Sequence, residues 1–270
     1  YGKVLYSVIH DSSSDPDGYF TLLTTEKGEI VNVAILDREK QDRFSLRVRA
    51  HNPGNLGYHK HDIAFVTINV LDENDNPPEV TYTFYLDDAF QVYEDASPGT
   101  KVARVRVSDK DAGKNGQIES VTIQGGNGHL SIAYDAVNDV HIISLAKELD
   151  REKHPTFPVH IYAKDRGQPQ QTTQDGFIFN VGDINDNHPK FDQDVFTAAV
   201  SENATIGTSV LVARATDKDI GSNAKLVYNI SYSPQAASYK SWFQINQATG
   251  EICTSARLDR EKFPRLEFLV

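Results

Sequence analysis

Apolar and polar residues alternate in several short stretches of the chain. Every second residue is apolar in residues 44–50, 157–163 and 266–270, and a similar alternation recurs in residues 64–70 and 102–107. A period of two indicates β-strands that bury one face. Turn-forming clusters separate these stretches, and no longer segment shows a helical period. Short strands at this spacing, about seven per 110 residues, predict antiparallel β-sandwiches.

Acidic motifs recur along the chain at a nearly constant interval. The run Asp-Glu-Asn-Asp-Asn at residues 72–76 returns 111 residues later as Asp-Ile-Asn-Asp-Asn at residues 183–187. The triplet Asp-Arg-Glu begins at Asp37, Asp150 and Asp259, at intervals of 113 and 109 residues, each time between a leucine and a lysine. Independent markers in one register indicate tandem domains rather than one large fold.

An Asp-Lys-Asp loop keeps the same register, at residues 109–111 and 217–219. Counted from this loop, the chain enters its first repeat after the opening strands and stops before the last strand of its third. We therefore predict three domains. Residues 1–78 lack their N-terminal strands, residues 79–189 are complete, and residues 190–270 lack their C-terminal strand.

Composition narrows the class of protein. The net charge of −11 is concentrated in the repeated motifs, which argues against nucleic acid as a partner and for cations. No apolar stretch approaches the ~20 residues of a membrane-spanning helix, and we interpret the chain as an internal fragment of a larger extracellular protein. The single cysteine, Cys253, excludes an internal disulfide framework and is predicted to lie in a strand as a small buried side chain. The sequons at Asn203 and Asn229 permit N-glycosylation.

The ordered motifs resemble those of tandem extracellular cadherin repeats. The resemblance rests on the Leu-Asp-Arg-Glu triplets, the two Asp-x-Asn-Asp-Asn linkers and the Asp-Lys-Asp loops that continue into Gly-x-Asn. It implies an all-β fold of tandem seven-stranded Greek-key sandwiches, cadherin- or immunoglobulin-like, in an elongated array. It also implies about three Ca²⁺ ions at each junction, since Ca²⁺ takes six to eight oxygen ligands from carboxylates, amides and backbone carbonyls.

The resemblance assigns candidate ligands at the junction between residues 79–189 and 190–270. The first site matches Glu94, Asp150, Glu152 and Asp186; the second matches Glu94, Glu152, Asp186, Asp219 and the backbone carbonyl of Ile184; the third matches Asn185, Asp217, Asp219 and the backbone carbonyls of Asn187 and Asn223. Without metal, so many close negative charges repel one another. We therefore expect this junction to be loose when empty and stiff when filled.

The junction between residues 1–78 and 79–189 matches the same pattern less completely. Its candidate ligands are Asp37, Glu39, Asn74, Asp75, Asp109, Asp111 and Asp165, with the backbone carbonyls of Glu73, Asn76 and Asn115. The first repeat has Asn52 where the second has Asp165. Because an amide is a poorer calcium ligand than a carboxylate, this exchange predicts a weaker site at the preceding junction.

Three classes of function follow. The leading hypothesis is calcium-dependent adhesion by the extracellular part of a single-pass plasma-membrane glycoprotein, with another cadherin ectodomain as partner. The alternative is a heterophilic receptor or ligand ectodomain for polarity or mechanical signalling. An enzyme is disfavoured, because no catalytic constellation or phosphate-binding glycine loop stands in register and the metal ligands recur at every boundary.

Overall fold

The structure, a computed structural model, describes residues 3–11, 15, 17–52, 60–85, 91–232 and 238–270. In these residues the regular secondary structure is β-strand apart from 3-10 turns at Gly126–Gly128 and at residues 238–239. No helix in this part of the chain is long and apolar enough to cross a membrane. The prediction of an all-β fold is confirmed.

The first 78 residues form a three-stranded sheet and a hairpin. Their strands are β1 (Leu5–Ile9), β2 (Phe20–Thr24), β3 (Glu29–Asn32), β4 (Arg43–His51) and β5 (His61–Asn69). The antiparallel sheet has the order β1-β4-β5, and β2 pairs with β3. Phe44 and Leu46 of β4 are buried with Phe20, as the alternation in residues 44–50 predicts.

Residues 79–189 contain two four-stranded sheets. Their strands are β6 (Glu79–Phe84), β7 (Gln91–Tyr93), β8 (Lys101–Ser108), β9 (Ile118–Gly125), β10 (Leu130–Asp135), β11 (Val140–Leu145), β12 (Thr156–Asp165) and β13 (Thr172–Gly182). One sheet has the order β10-β11-β8-β6 and the other β7-β13-β12-β9. The seven predicted strands become eight because the first strand is split into β6 and β7, which belong to opposite sheets.

The two sheets of this middle unit enclose one apolar core. Phe157 and Ile161 of β12 and Phe179 of β13 are buried from one sheet, and Val105 and Ile143 from the other. These side chains belong to one contiguous cluster, as a β-sandwich requires. The edge segment β7 pairs in parallel with β13, so it ends beside the linker that follows β13.

Residues 190–270 contain β14 (Lys190–Phe191), β15 (Ser209–Val212), β16 (Ala215–Thr216), β17 (Phe243–Ile245) and β18 (Glu251–Thr254). Cys253 lies in β18 as predicted, and it is half-buried rather than fully buried. The strand predicted at residues 266–270 is wrong, because only an isolated bridge from Leu269 to Ser231 forms there in the described residues. Along this segment half-buried and exposed residues still alternate, and two backbone hydrogen bonds join Leu269 to Ser231 without extending into a strand.

Candidate calcium-binding junctions

Glu94 is placed at the junction by the strand pairing of the middle unit. It directly follows β7, and its backbone N–H donates to the carbonyl of Gly182 at the end of β13, 3.1 Å away. Its carboxylate is buried and accepts the backbone N–H groups of Arg151 at 2.7 Å and Ile184 at 3.1 Å. Glu94 therefore joins the triplet turn to the linker.

Two groups of carboxylates meet at this junction and share Glu152. One contains Glu94, Glu152 and Asp186, and the other contains Glu152, Asp183 and Asp219; within each group the candidate ligand oxygens lie within 4.8 Å of one another. Burial, and then the negative charges of Glu94 and Asp219 among others, raise the pKa of Asp186. A divalent cation would relieve this repulsion, so the electrostatics suit Ca²⁺.

The linker also contacts the Asp-Lys-Asp loop of the following unit. Asp219 is buried, and its carboxylate accepts the side-chain amide of Asn187 at 2.7 Å. The same amide donates to Asp186 at 2.7 Å. Asp217 accepts the backbone N–H of Asp219 at 3.0 Å. These contacts bring carboxylates from both sides of the predicted boundary together.

The junction near residue 78 repeats this arrangement. It contains a cluster of three carboxylates whose candidate ligand oxygens lie within 4.8 Å of one another, from Glu39, Asp72 and Asp111. The side-chain amide of Asn76 donates to Asp75 and to Asp111, both at 2.7 Å, as that of Asn187 does at the next junction. Two different sequences thus produce the same local geometry.

Two buried acceptor atoms at this first junction lack a donor. Asn74 Oδ1 and Asp109 Oδ2 are buried with no hydrogen-bond partner among the described residues. Burial, followed by the charges of Asp111 and Asp165, raises the pKa of Asp109. Unsatisfied buried acceptors are costly, and coordination to a cation would satisfy each of them. Because both residues were predicted ligands, the donor set fits Ca²⁺.

Two further predicted ligands are bound by lysines. Asp37 accepts the ammonium group of Lys40 at 2.8 Å, and Asp150 accepts that of Lys153 at 2.6 Å. Each hydrogen bond lowers the pKa of its aspartate, so the carboxylates stay charged. A surface cleft opens beside Asp150 and Asp186. Asp150 therefore lies near the carboxylate groups without belonging to one.

Asn115 and Asn223, whose backbone carbonyls are predicted ligands, also make contacts with their side chains. Their side-chain amides donate to Asp72 and Asp183, respectively, each at 2.9 Å. These contacts leave the backbone carbonyls available, and the carbonyl roles stay predictions. The same holds for the ligand roles of Glu73, Ile184, Asn185 and Asp217.

Four residues of the junctions escaped the sequence prediction. Asp72 and Asp183 belong to carboxylate groups, and Arg38 and Arg151 contact those groups. Each pair stands at the same position in a repeated motif: the first residue of the linker and the middle residue of the triplet. Their recurrence in register was the signal that could have found them.

The fold and its paired acidic junctions are those of a tandem cadherin protein. The sequence model of the cadherin domain matches residues 88–181 and 196–270. The chain belongs to the cadherin family. Cadherin-family proteins are non-enzymatic adhesion molecules.

The relatives are large proteins of this family. Protein dachsous of Drosophila melanogaster is 34% identical over 264 residues, which cover 97% of this chain and 7% of the relative. Human protocadherin-16 is 34% identical over 272 residues, which cover 100% of this chain and 8% of the relative. The structure of protocadherin gamma B2 extracellular cadherin domains 3-6 matches with a TM-score of 0.74 and 29% identity, covering 97% of this chain and 59% of that one. The chain thus spans less than a tenth of the first two relatives.

Proposed function

We propose that residues 1–78, 79–189 and 190–270 are three consecutive cadherin repeats whose junctions bind Ca²⁺, about three ions at each. The observation that carries this proposal is the pair of acidic junctions with matching contacts. At both, carboxylates of the triplet, the linker and the Asp-Lys-Asp loop come within 4.8 Å. The ligand sets given in the sequence analysis are part of the proposal.

The proposed role of calcium is mechanical. Glu152, Asp186 and Asp219 come from one repeat, a linker and the next repeat, so an ion bound by all three would hold the two repeats in one orientation. Without the ion, the same charges repel; burial and then the charges of Glu94 and Asp219 raise the pKa of Asp186. Calcium binding would therefore convert a loose junction into a rigid one.

We place these repeats on the extracellular side of a single-pass plasma-membrane protein that adheres to another cadherin ectodomain. Family membership supports adhesion as the activity class. Asn203 and Asn229 are exposed, which leaves both accessible for the predicted glycosylation. The two hypotheses for the partner are a second copy of the same ectodomain and a different cadherin.

Bead aggregation tests the adhesive role. Beads coated with the parent ectodomain are expected to aggregate in millimolar calcium and to disperse in excess chelator. Aggregation of one kind of bead supports homophilic adhesion, and aggregation only with beads that carry another cadherin supports the heterophilic alternative. Dispersed beads in calcium with every cadherin tried would contradict adhesion by this protein.

A further inference from the structure

The arginine of the Asp-Arg-Glu triplet connects its own repeat to the next. Arg151 precedes β12, and only 10% of its side chain is exposed. Its Nη2 donates to the backbone carbonyl of Lys218 at 2.7 Å, and its guanidinium contacts Asp183 and Glu152. Lys218 is the middle residue of the Asp-Lys-Asp loop. Arg151 therefore bonds to the linker and to the following repeat at once.

Asp183 continues this connection into the same loop. One of its oxygens contacts Arg151, and the other accepts the backbone N–H of Ile220 at 3.1 Å and the side-chain amide of Asn223 at 2.9 Å. Arg151 and Asp183 thus hold residues 218–223 of the third repeat at three points.

The first junction contains the same connection in a different sequence. Arg38 donates from Nη2 to the carbonyl of Lys110 at 2.7 Å. Its guanidinium forms ion pairs with Glu39 and Asp72. Asp72 in turn accepts the backbone N–H of Ala112 at 2.9 Å, as Asp183 accepts that of Ile220. The arrangement therefore recurs as a unit.

The third triplet provides a natural comparison. The backbone N–H of Arg260 donates to Glu202 at 3.1 Å, as that of Arg151 does to Glu94 at 2.7 Å. The side chain of Arg260 is exposed and has no polar partner among the described residues. Arg260 thus shares the motif and the turn geometry of Arg151, and residues 1–270 contain no third Asp-Lys-Asp loop for its side chain to contact.

We propose that the triplet arginine and the first linker aspartate form a calcium-independent clasp between consecutive cadherin repeats. The clasp comprises Arg151 and Asp183 at one junction and Arg38 and Asp72 at the other. A guanidinium suits this place because its planar fork reaches two carboxylates and a carbonyl together, and because its charge reduces repulsion within the acidic group. Both arginines are positioning residues, and the inference does not require that calcium binds.

Amide hydrogen exchange of the full chain in excess chelator tests the clasp. Arg151→Met is expected to speed exchange in residues 217–223 on the order of tenfold, since the loop loses hydrogen bonds to charged groups. Arg38→Met should have the same effect in residues 109–115 and leave residues 217–223 unchanged. Arg260→Met, the matched control, should change neither loop. Equal exchange in wild type and Arg151→Met at residues 217–223 would overturn the proposal.

Two additional variants separate the clasp from a general loss of stability. Amides of β12 should keep their wild-type protection in Arg151→Met. Should β12 also exchange faster, Asp183→Asn decides, since it leaves the triplet turn intact: faster exchange only in residues 217–223 supports the clasp, and unchanged exchange refutes it. Arg151→Lys should give intermediate protection, because the charge stays and the fork is lost. Full protection with lysine would overturn the role of the guanidinium.

Discussion

Calcium is expected to raise the melting temperature of the repeats that meet at the second junction, between residues 79–189 and 190–270. Asp186→Ala should remove most of this rise. A ligand at one hundred times its dissociation constant stabilises a folded state by about 2.7 kcal/mol. For a domain of this size that corresponds to a shift of about 10 °C or more. Asp186 lies in one cluster of carboxylates with Glu94 and Glu152, so the loss of its side chain weakens the calcium binding that produces the shift.

In excess chelator, Asp186→Ala should not lower the melting temperature. Burial and then the neighbouring negative charges raise the pKa of Asp186. Removing this carboxylate relieves both costs, so the variant should melt at or slightly above the wild-type temperature. Thermal unfolding followed by circular dichroism in both conditions measures the difference. Asp194→Ala is the matched control, because Asp194 is exposed and lies outside both carboxylate groups. An equal destabilisation by Asp186→Ala with and without calcium would contradict this account.

Asp165→Ala is expected to lower the free energy of unfolding of the middle repeat by about 3 kcal/mol even without calcium. Asp165 is fully buried at the end of β12. Its carboxylate accepts the backbone N–H groups of Gly167 at 2.9 Å and Gln171 at 3.1 Å and the side-chain amide of Asn74 at 3.0 Å. Alanine leaves these donors without their acceptor. Urea unfolding in chelator measures the loss apart from any effect of calcium.

Asp165→Asn tests the same hydrogen bonds with a milder substitution than Asp165→Ala. Asparagine keeps one acceptor oxygen and is the residue that the first repeat has at the equivalent position, Asn52. The backbone N–H groups of Asn52 and Asp165 donate to the carbonyls of Lys60 and Gln171, respectively, each at 3.3 Å. We expect a loss smaller than that of Asp165→Ala. A change of less than about 0.5 kcal/mol for alanine would show that this buried carboxylate does not hold the turn.

The sequence correctly predicted the strands that both bury one face and pair with neighbouring strands. In residues 157–163 the apolar positions face the core, and the same segment pairs with β9 on one side and β13 on the other. The alternation of the sequence and the hydrogen-bonded pairing therefore indicate the same strand. Residues 266–270 alternate equally well, yet Leu269 makes only one bridge, because alternation reports burial and not the presence of a neighbouring strand. The division of the first strand into β6 and β7 depends on a crossing between sheets that no local pattern encodes.

The sequence likewise predicted only part of the candidate calcium sites. The resemblance to cadherin repeats assigned Glu39, Glu152, Asp186 and Asp219 as candidate ligands, and each of them lies in a cluster of carboxylates. It did not show that Arg151 turns into the acidic group rather than towards solvent, since that depends on the loop of the following repeat. The orphaned oxygen of Asn74 likewise appears only when its neighbours are placed in space.

Equilibrium calcium binding by the full chain tests the central claim most directly. A calorimetric titration is expected to show saturable binding at millimolar calcium or below, with a stoichiometry that approaches about three ions per junction. Glu152→Gln, which alters the residue shared by two carboxylate groups, should remove the ions of one junction, and Glu39→Gln should weaken binding at the other. No saturable binding, or binding that neither substitution changes, would contradict the assignment of these junctions as calcium sites.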